Sequence, residues 1–161
     1  MPRYRLSATA HSQARPSEVW SRLVDVGTWA AWGPWIDATV DRPGHDAGSA
    51  VGTVFTLMSD PEHRARFEVV TSDPDRRFAF EHWSGFPFHS YRTELALYLA
   101  DDGGCYIFCE TDVDVEPRAE AVLTRDAINE YLCAVVGRLV LSLERDLGGR
   151  RAGSRLASVR V

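Results

Sequence analysis

The chain contains no lysine: all 18 of its basic residues are arginine. That removes Schiff-base chemistry and the phosphate-binding lysine loop. Cysteine is scarce. Cys105 and Cys109, four residues apart on one strand, would stand about 13 Å from each other at roughly 3.3 Å per residue, too far for a disulfide. With Cys133 they read as small, reduced core residues, which is the cysteine usage of the cytoplasm. No run reaches the ~18 apolar residues of a membrane span. The opening "MPRYRLSATA" has no apolar core of signal-peptide length, so the expected location is cytoplasmic. There is no His-Glu-X-X-His or Cys-X-X-Cys set for zinc, and no metal site is expected. No Gly-X-Ser-X-Gly elbow and no glycine-rich strand-to-helix turn appear, so neither a serine hydrolase nor a nucleotide cofactor is expected.

What is present is an ordinary globular balance. The 161 residues are 45% hydrophobic and 25% charged, enough for one domain with its own core. The formal charge of −5 argues against nucleic acid and against anionic membrane as partners. The N-terminal "RYRLSATA" alternates as a half-buried strand. In "ARPSEVWSRLVDV", Pro16 suits the first turn of a helix, Glu18 its positive end, and Val19, Trp20, Leu23 and Val24 its apolar stripe. Gly27 stops it. "TWAAW" reads as a second short helix, ended by Gly33-Pro34. From residue 36 the period becomes two. Strands are expected at 36–41, 52–58, 64–72, 77–83, 90–100 and 104–115, with turn-rich breaks between them, the pattern of an antiparallel meander. A long helix follows, roughly 119 to 147. Ile128, Leu132, Val135, Leu139, Leu143 and Leu147 form its stripe, widened by Tyr131, Val136 and Val140. Gly148-Gly149 is expected to end it, leaving 149–161 as a flexible, arginine-containing tail behind a single domain of residues 1–148. The last helix is the only large amphipathic element, so it must lie across the sheet.

"ARPSEVWSRLVDVGTWAAWGPWI", "VGTVFTLM", "VVTSDPDRRFAFEHW" and "DGGCYIFCETDV" resemble the START-related helix-grip superfamily, which includes polyketide cyclase/dehydrase-like and lipid-transport-like proteins. The likeness spans residues 3 to 148. It implies an α+β helix-grip fold: a curved antiparallel seven-stranded sheet wrapped around a long C-terminal helix, two short helices between strands 1 and 2, and an internal apolar cavity. Trp29 and Trp32 would then plug one end of the grip, and Trp35 would lead into the second strand at the cavity wall. Core packing alone is the simpler reading of all three.

Alternation puts Phe55, Leu57, Phe67, Val69, Phe78, Phe80, Leu95, Leu97, Ile107, Cys109 and Val113 on the concave face, and turns Arg64, Arg66, Glu68, Glu81, Arg92 and Glu94 to solvent. The same rule brings His82, Tyr91, Thr93 and Thr111 inside. If Phe80 pairs with Thr93, then His82 faces Tyr91; a two-residue slip would set it opposite His89. The ligand-contacting set expected from this is Trp29, Trp32, Trp35, Phe55, Phe67, Phe78, Phe80, His89, Thr93, Leu95 and Cys109, with Leu132 and Val136 from the helix. A neutral imidazole is a proton shuttle and a tyrosine hydroxyl can polarise a carbonyl, so His82 and Tyr91 are the candidate catalytic pair for a cofactor-free aldol cyclisation or dehydration. The simpler reading of His82 is a satisfied polar residue at a strand end. "SGFPF" (84–88) reads as a lid or as a loop tucked over the core. Tyr98, Tyr106 and Phe108 on the convex face mark a small homodimer patch or scattered surface aromatics. The partner expected is a hydrophobic small molecule. A non-catalytic carrier or sensor of lipid or aromatic metabolites, and a chaperone-type interaction module, are the alternatives to an enzyme.

Overall fold

The computed structural model describes residues 3–46, 48–85 and 87–158. Strand β1 (Arg3–Ser12) leads into helix α1 (Pro16–Val24) and a 3₁₀ helix (Val26–Ala31). Six strands follow: β2 (Asp37–Arg42), β3 (Val54–Asp60), β4 (His63–Asp73), β5 (Arg77–Gly85), β6 (Phe88–Leu99) and β7 (Cys105–Val115). A 3₁₀ turn (Pro117–Ala119) precedes the long helix α2 (Arg125–Ser158). The strands form one antiparallel sheet in the order β1-β7-β6-β5-β4-β3-β2. Strands β2 to β7 are a meander, and β1 closes on β7 in a register running from Arg3↔Asp114 to Ser12↔Cys105.

Period-two patterning fixes which side of this sheet is covered. Phe55, Phe67, Val69, Phe78, Phe80, Leu95, Ile107, Cys109 and Val113 are all buried, as alternation requires. Register shifts at Val40/Arg42, Met58/Asp60, Arg66/Phe67, Val69/Thr71 and Phe88/Ser90 interrupt the ladders. Such bulges bend a strand and raise its twist, which is how a sheet curves. Helix α2 buries Ile128, Leu132, Val136, Leu139 and Leu143, spaced by four, four, three and four residues, so one stripe packs inward. Glu144 ties this helix to the end of β1, accepting from Ser12 Oγ at 3.1 Å and from the Gln13 amide at 2.7 Å.

Against the buried face of the sheet stands Trp29. Its ring lies 5.3 to 5.9 Å from those of Trp32, Trp35, Phe55, Phe78 and Phe80. Its indole N–H donates to the Leu23 carbonyl at 3.0 Å, so the one polar atom of this wedge is satisfied. Gly33 makes the following turn workable: a Cβ there would sit 2.0 Å from the Trp35 ring.

Four expectations need correction. The second short helix is a 3₁₀ helix that starts at Val26 and contains Gly27, while α1 already ends at Val24, where Asp25 leaves helical geometry (φ −86°, ψ 66°). α2 starts at Arg125, not near 119, because Pro117–Ala119 turns separately and Thr124 Oγ1 accepts the Ala127 amide at the helix start. Gly148-Gly149 does not end α2, which continues to Ser158; glycine weakens a helix by about 1 kcal/mol relative to alanine without breaking it. Cys133 is exposed, whereas Cys105 and Cys109 are buried; the residue beside Leu132 on a helix points away from the stripe that Leu132 occupies.

Trp29→Ala removes the wedge, so it is expected to cost about 3–5 kcal/mol in denaturant unfolding. Trp83→Ala, on a half-exposed ring under Arg42, is expected to change stability by no more than about 0.5 kcal/mol in the same measurement.

Candidate ligand pocket

The aromatic cluster around Trp29 packs against β3 and β5. Beside it, sharing Trp35 as a wall, is a pocket of about 160 Å³. Its walls come from four elements: Leu57 and Ser59 on β3, His63, Ala65 and Phe67 on β4, Phe88 and Tyr91 on β6, and Ala127, Ile128 and Tyr131 on α2. Leu123, just before α2, and Trp35 complete it. The volume has room for about five waters at ~30 Å³ each, below the ~300 Å³ at which pockets for drug-sized ligands begin. It fits a small guest, or one part of a larger one.

The walls are mostly apolar, and the hydroxyls of buried Tyr91 and partly buried Tyr131 interrupt them. The Trp35 indole N–H donates to Tyr131 Oη at 2.7 Å, and the two rings meet edge to face at 6.3 Å. Because Tyr131 Oη accepts that bond, its own proton is the group it can offer to something else. Tyr91 is buried beside the hydroxyls of Thr93 and Thr111, which are hydrogen-bonded to each other at 2.8 Å. Burial pushes the Tyr91 hydroxyl up to about 12, and burial next to Tyr91 also drives that of Tyr131 well above its ordinary value. Both stay protonated at neutral pH and act as donors. The rim holds the third polar feature: His63 Nδ1 lies 2.5 Å from Asp60 Oδ2.

A larger cleft of about 860 Å³ opens between the 3₁₀ helix and α2. Its walls include Arg22, Asp25, Arg138, Arg145 and Asp146. Arg22 is tied to Ser142 and Asp146, and Arg138 donates to the Gly33 carbonyl at 3.3 Å. Charged walls suit an apolar guest poorly, so the smaller pocket is the better candidate.

Residues 3–147 match the family described as polyketide cyclase/dehydrase and lipid transport. The chain belongs to that family. Two solved structures share the fold. One is a START superfamily protein from Mycobacterium smegmatis, 15% identical, covering 91% of this chain and 95% of that one with a TM-score of 0.62. The other is the protein XoxI from Bacillus cereus, 12% identical, covering 86% and 94% with a TM-score of 0.66. No curated protein matches the chain. The description of the polyketide cyclase/dehydrase and lipid transport family ties this fold to hydrophobic ligands.

In this family member the expected site residues divide into three groups. Trp35, Phe67 and Tyr91 line the pocket. Trp29, Trp32, Phe55, Phe78, Phe80, Thr93, Leu95, Cys109, Leu132 and Val136 are buried in the core around it. Cys109 is there as an inert thiol, raised to about 12 by burial. His82 and His89 stand apart. Phe80 does pair with Thr93, but the β5–β6 ladder ends at Glu81↔Arg92, short of His82, which is paired with Phe67 on its other side, on β4. Its ring packs against Phe67 at 6.0 Å and Phe88 at 5.6 Å, and its Nε2–H donates to the Gly85 carbonyl at 3.0 Å. His89 falls at the Phe88/Ser90 bulge and is exposed. Of the "SGFPF" loop, Phe88 lines the pocket and Phe86 lies outside the described residues. Tyr98 and Tyr106 are paired across β6 and β7 and exposed, with Phe108 less so. Among the described residues no helix is long and apolar enough to cross a membrane, and no three His, Cys, Asp or Glu side chains form a metal-sized group.

The sequence reading missed Tyr131, Ser59 and His63. Tyr131 was legible only as one more member of the α2 stripe. "SDPEH" did carry a signal, since an Asp three residues before a His in a tight turn can accept from both backbone and imidazole.

The folded state holds the Tyr91 proton to about pH 12, while the unfolded chain releases it near 10. Above pH 10 the unfolded state therefore binds fewer protons, and stability falls as pH rises. The contribution is complete below pH 10 and is lost between 10 and about 12. Tyr91→Phe is expected to flatten that part of the stability-versus-pH curve, read by thermal melts, and to remove one of the late-ionising phenols from an absorbance titration.

Proposed function

We propose that this chain holds a small hydrophobic molecule in the pocket between β3, β4, β6 and the start of α2, with a guest carbonyl facing the hydroxyls of Tyr91 and Tyr131. The observation that carries this is the pair of phenols, Tyr91 buried and Tyr131 partly buried, set in mostly apolar walls, one of them already held by Trp35. Donors placed in a water-poor site polarise a carbonyl strongly because they need no reorganisation. Carbonyl polarisation is one requirement of enolisation, aldol ring closure and loss of water, the other being a base for the α-proton, so the reading extends to cofactor-free cyclase or dehydratase chemistry of the kind the family description names. Tyr91 is the group in contact with the reacting carbonyl. His82 supports it from behind, as packing against Phe67 and Phe88. The guest is a neutral aromatic or acyl compound, since the arginines of the outer face are engaged elsewhere: Arg92 with Glu81 at 2.6 Å and Arg66 with Asp41 at 3.4 Å.

A carrier reading rests on the same pocket and on the lipid-transport half of the family description. Tyr91→Phe separates the two. An enzyme loses turnover of a poly-β-ketone mimic by about 10²-fold or more while retaining binding, whereas a carrier shows no turnover to lose.

Occupancy is tested by native mass spectrometry of freshly purified protein, with small molecules extracted after denaturation. The expected result is an apolar aromatic or acyl adduct on the wild type and none on Ala127→Phe, which places a ring in the pocket from α2. The same adduct retained by Ala127→Phe would place the ligand elsewhere.

A further inference from the structure

The larger cleft, between the 3₁₀ helix Val26–Ala31 and α2, takes no part in the function proposed above. Its volume of about 860 Å³ nevertheless lies within the roughly 300–1,000 Å³ of small-molecule sites. Its charges are sorted. At one end it adjoins a second hollow of about 240 Å³, and Arg22, Asp25, Thr28 and Asp146 line both. Arg22 pairs with Asp146 and donates to Ser142 Oγ at 2.7 Å, and Thr28 Oγ1 donates to the Asp25 carbonyl at 2.7 Å. The two acids of the cleft thus stand at this end, one of them neutralised. The rest of the cleft has Arg138 and Arg145 on α2, with the apolar surface of Ala30, Ala31, Trp32 and Leu141. Positions 138, 141 and 145 are three and four residues apart, so the two guanidinium groups flank Leu141 on one face of the helix. Leu141 is 50% exposed. Arg138 donates once, to the Gly33 carbonyl at 3.3 Å, which ties its side chain to the opposite wall and leaves four of the five guanidinium donors. Among the described residues Arg145 has no hydrogen bond or ion pair.

We propose that this cleft is a second binding site, for a small amphipathic carboxylate, with the anion on Arg138 and Arg145 and the apolar body against Trp32 and Leu141. A guanidinium is planar and always charged, and it takes a carboxylate through two parallel hydrogen bonds. The chain as a whole carries a formal charge of −5, so its surface repels an anion except where cations stand in excess, as they do here. The apolar wall between the two arginines favours an organic anion over an inorganic one. The cleft shares Trp35 as a wall with the inner pocket, whose guest is neutral, but none of its arginines reaches that pocket. The two sites stand or fall separately.

Two probes of one shape and different charge test this, 2-naphthoate and the uncharged 2-naphthamide, titrated by calorimetry at neutral pH and low salt. The wild type is expected to bind naphthoate at least about tenfold more tightly, the worth of one hydrogen bond to a charged group. The double variant Arg138→Gln, Arg145→Gln alters two exposed positions, so it is expected to fold normally, to lose that preference and to bind the amide as before. Leu141→Asp reaches the same result by another route. It sets a carboxylate three residues from Arg138 and four from Arg145, where it competes for both. Ala127→Phe, which fills the inner pocket, is expected to leave naphthoate binding intact. Equal affinity of the wild type for the two probes, a preference that survives the arginine substitutions, or no naphthoate binding at all overturns the proposal. Loss of naphthoate binding in Ala127→Phe would put the anion in the inner pocket and overturn it as well.

Discussion

The packing of Trp29 against the aromatic face of the sheet is the contact on which the rest of the interior depends. A curved sheet and one helix cannot meet along their whole length, and something has to occupy the gap. Here a single indole touches two tryptophans and three phenylalanines and closes one end of it. Protein interiors are packed to crystal-like density, so the space that remains is the space the wedge does not reach. It remains at the end where β3, β4 and β6 face the first turns of α2. The tight turn at Gly33 serves both parts, since it brings Trp35 from the wedge to the pocket wall, where its N–H holds Tyr131.

Polarity is segregated by the same geometry. The outer face of the sheet spends its charges on cross-strand pairs such as Arg92–Glu81, Arg77–Glu94 and Arg42–Glu68. Exposed pairs of this kind add little stability, about 0–1 kcal/mol each. Their consequence lies in what they keep away from the interior. In the pocket, the inner polar groups are the hydroxyls of Tyr91 and Tyr131 and the Trp35 indole N–H, which carry no charge. The ionisable pair closest to the pocket, Asp60 and His63, sits at its mouth where water still reaches it.

The fold was largely legible in the sequence because it depends on period. Alternation assigned the concave residues correctly, and the three-and-four spacing of Ile128, Leu132, Leu139 and Leu143 found the helix that covers them. The errors lie where local signals are ambiguous. Gly148-Gly149 resembles a stop but sits in a helix that tolerates it, and "TWAAW" is helical with the tighter 3₁₀ winding. The pocket was harder to read. How much of the interior a tryptophan fills depends on its rotamer and on ring contacts from four strands and loops, none of which a pattern records. His82 was expected opposite Tyr91, but the β5–β6 ladder that pairs Phe80 with Thr93 ends at Glu81↔Arg92, one residue short of it. Tyr131 escaped notice because a phenol in an apolar stripe looks like one more hydrophobic residue until its partner, Trp35, comes from 96 positions away.

The central claim is the location of the open space, and the isoleucines report on it directly. The chain has three, Ile36, Ile107 and Ile128. Ile36 is exposed, Ile107 is sealed in the core, and Ile128 lines the pocket. A methyl-labelled sample gives one δ1 resonance for each. On titration with a small aromatic such as naphthalene, the account predicts that the Ile128 resonance shifts and broadens while Ile107 and Ile36 hold still. A shift at Ile107 without Ile128 would mean that the guest enters the core the aromatic wedge was argued to fill, and would contradict the account.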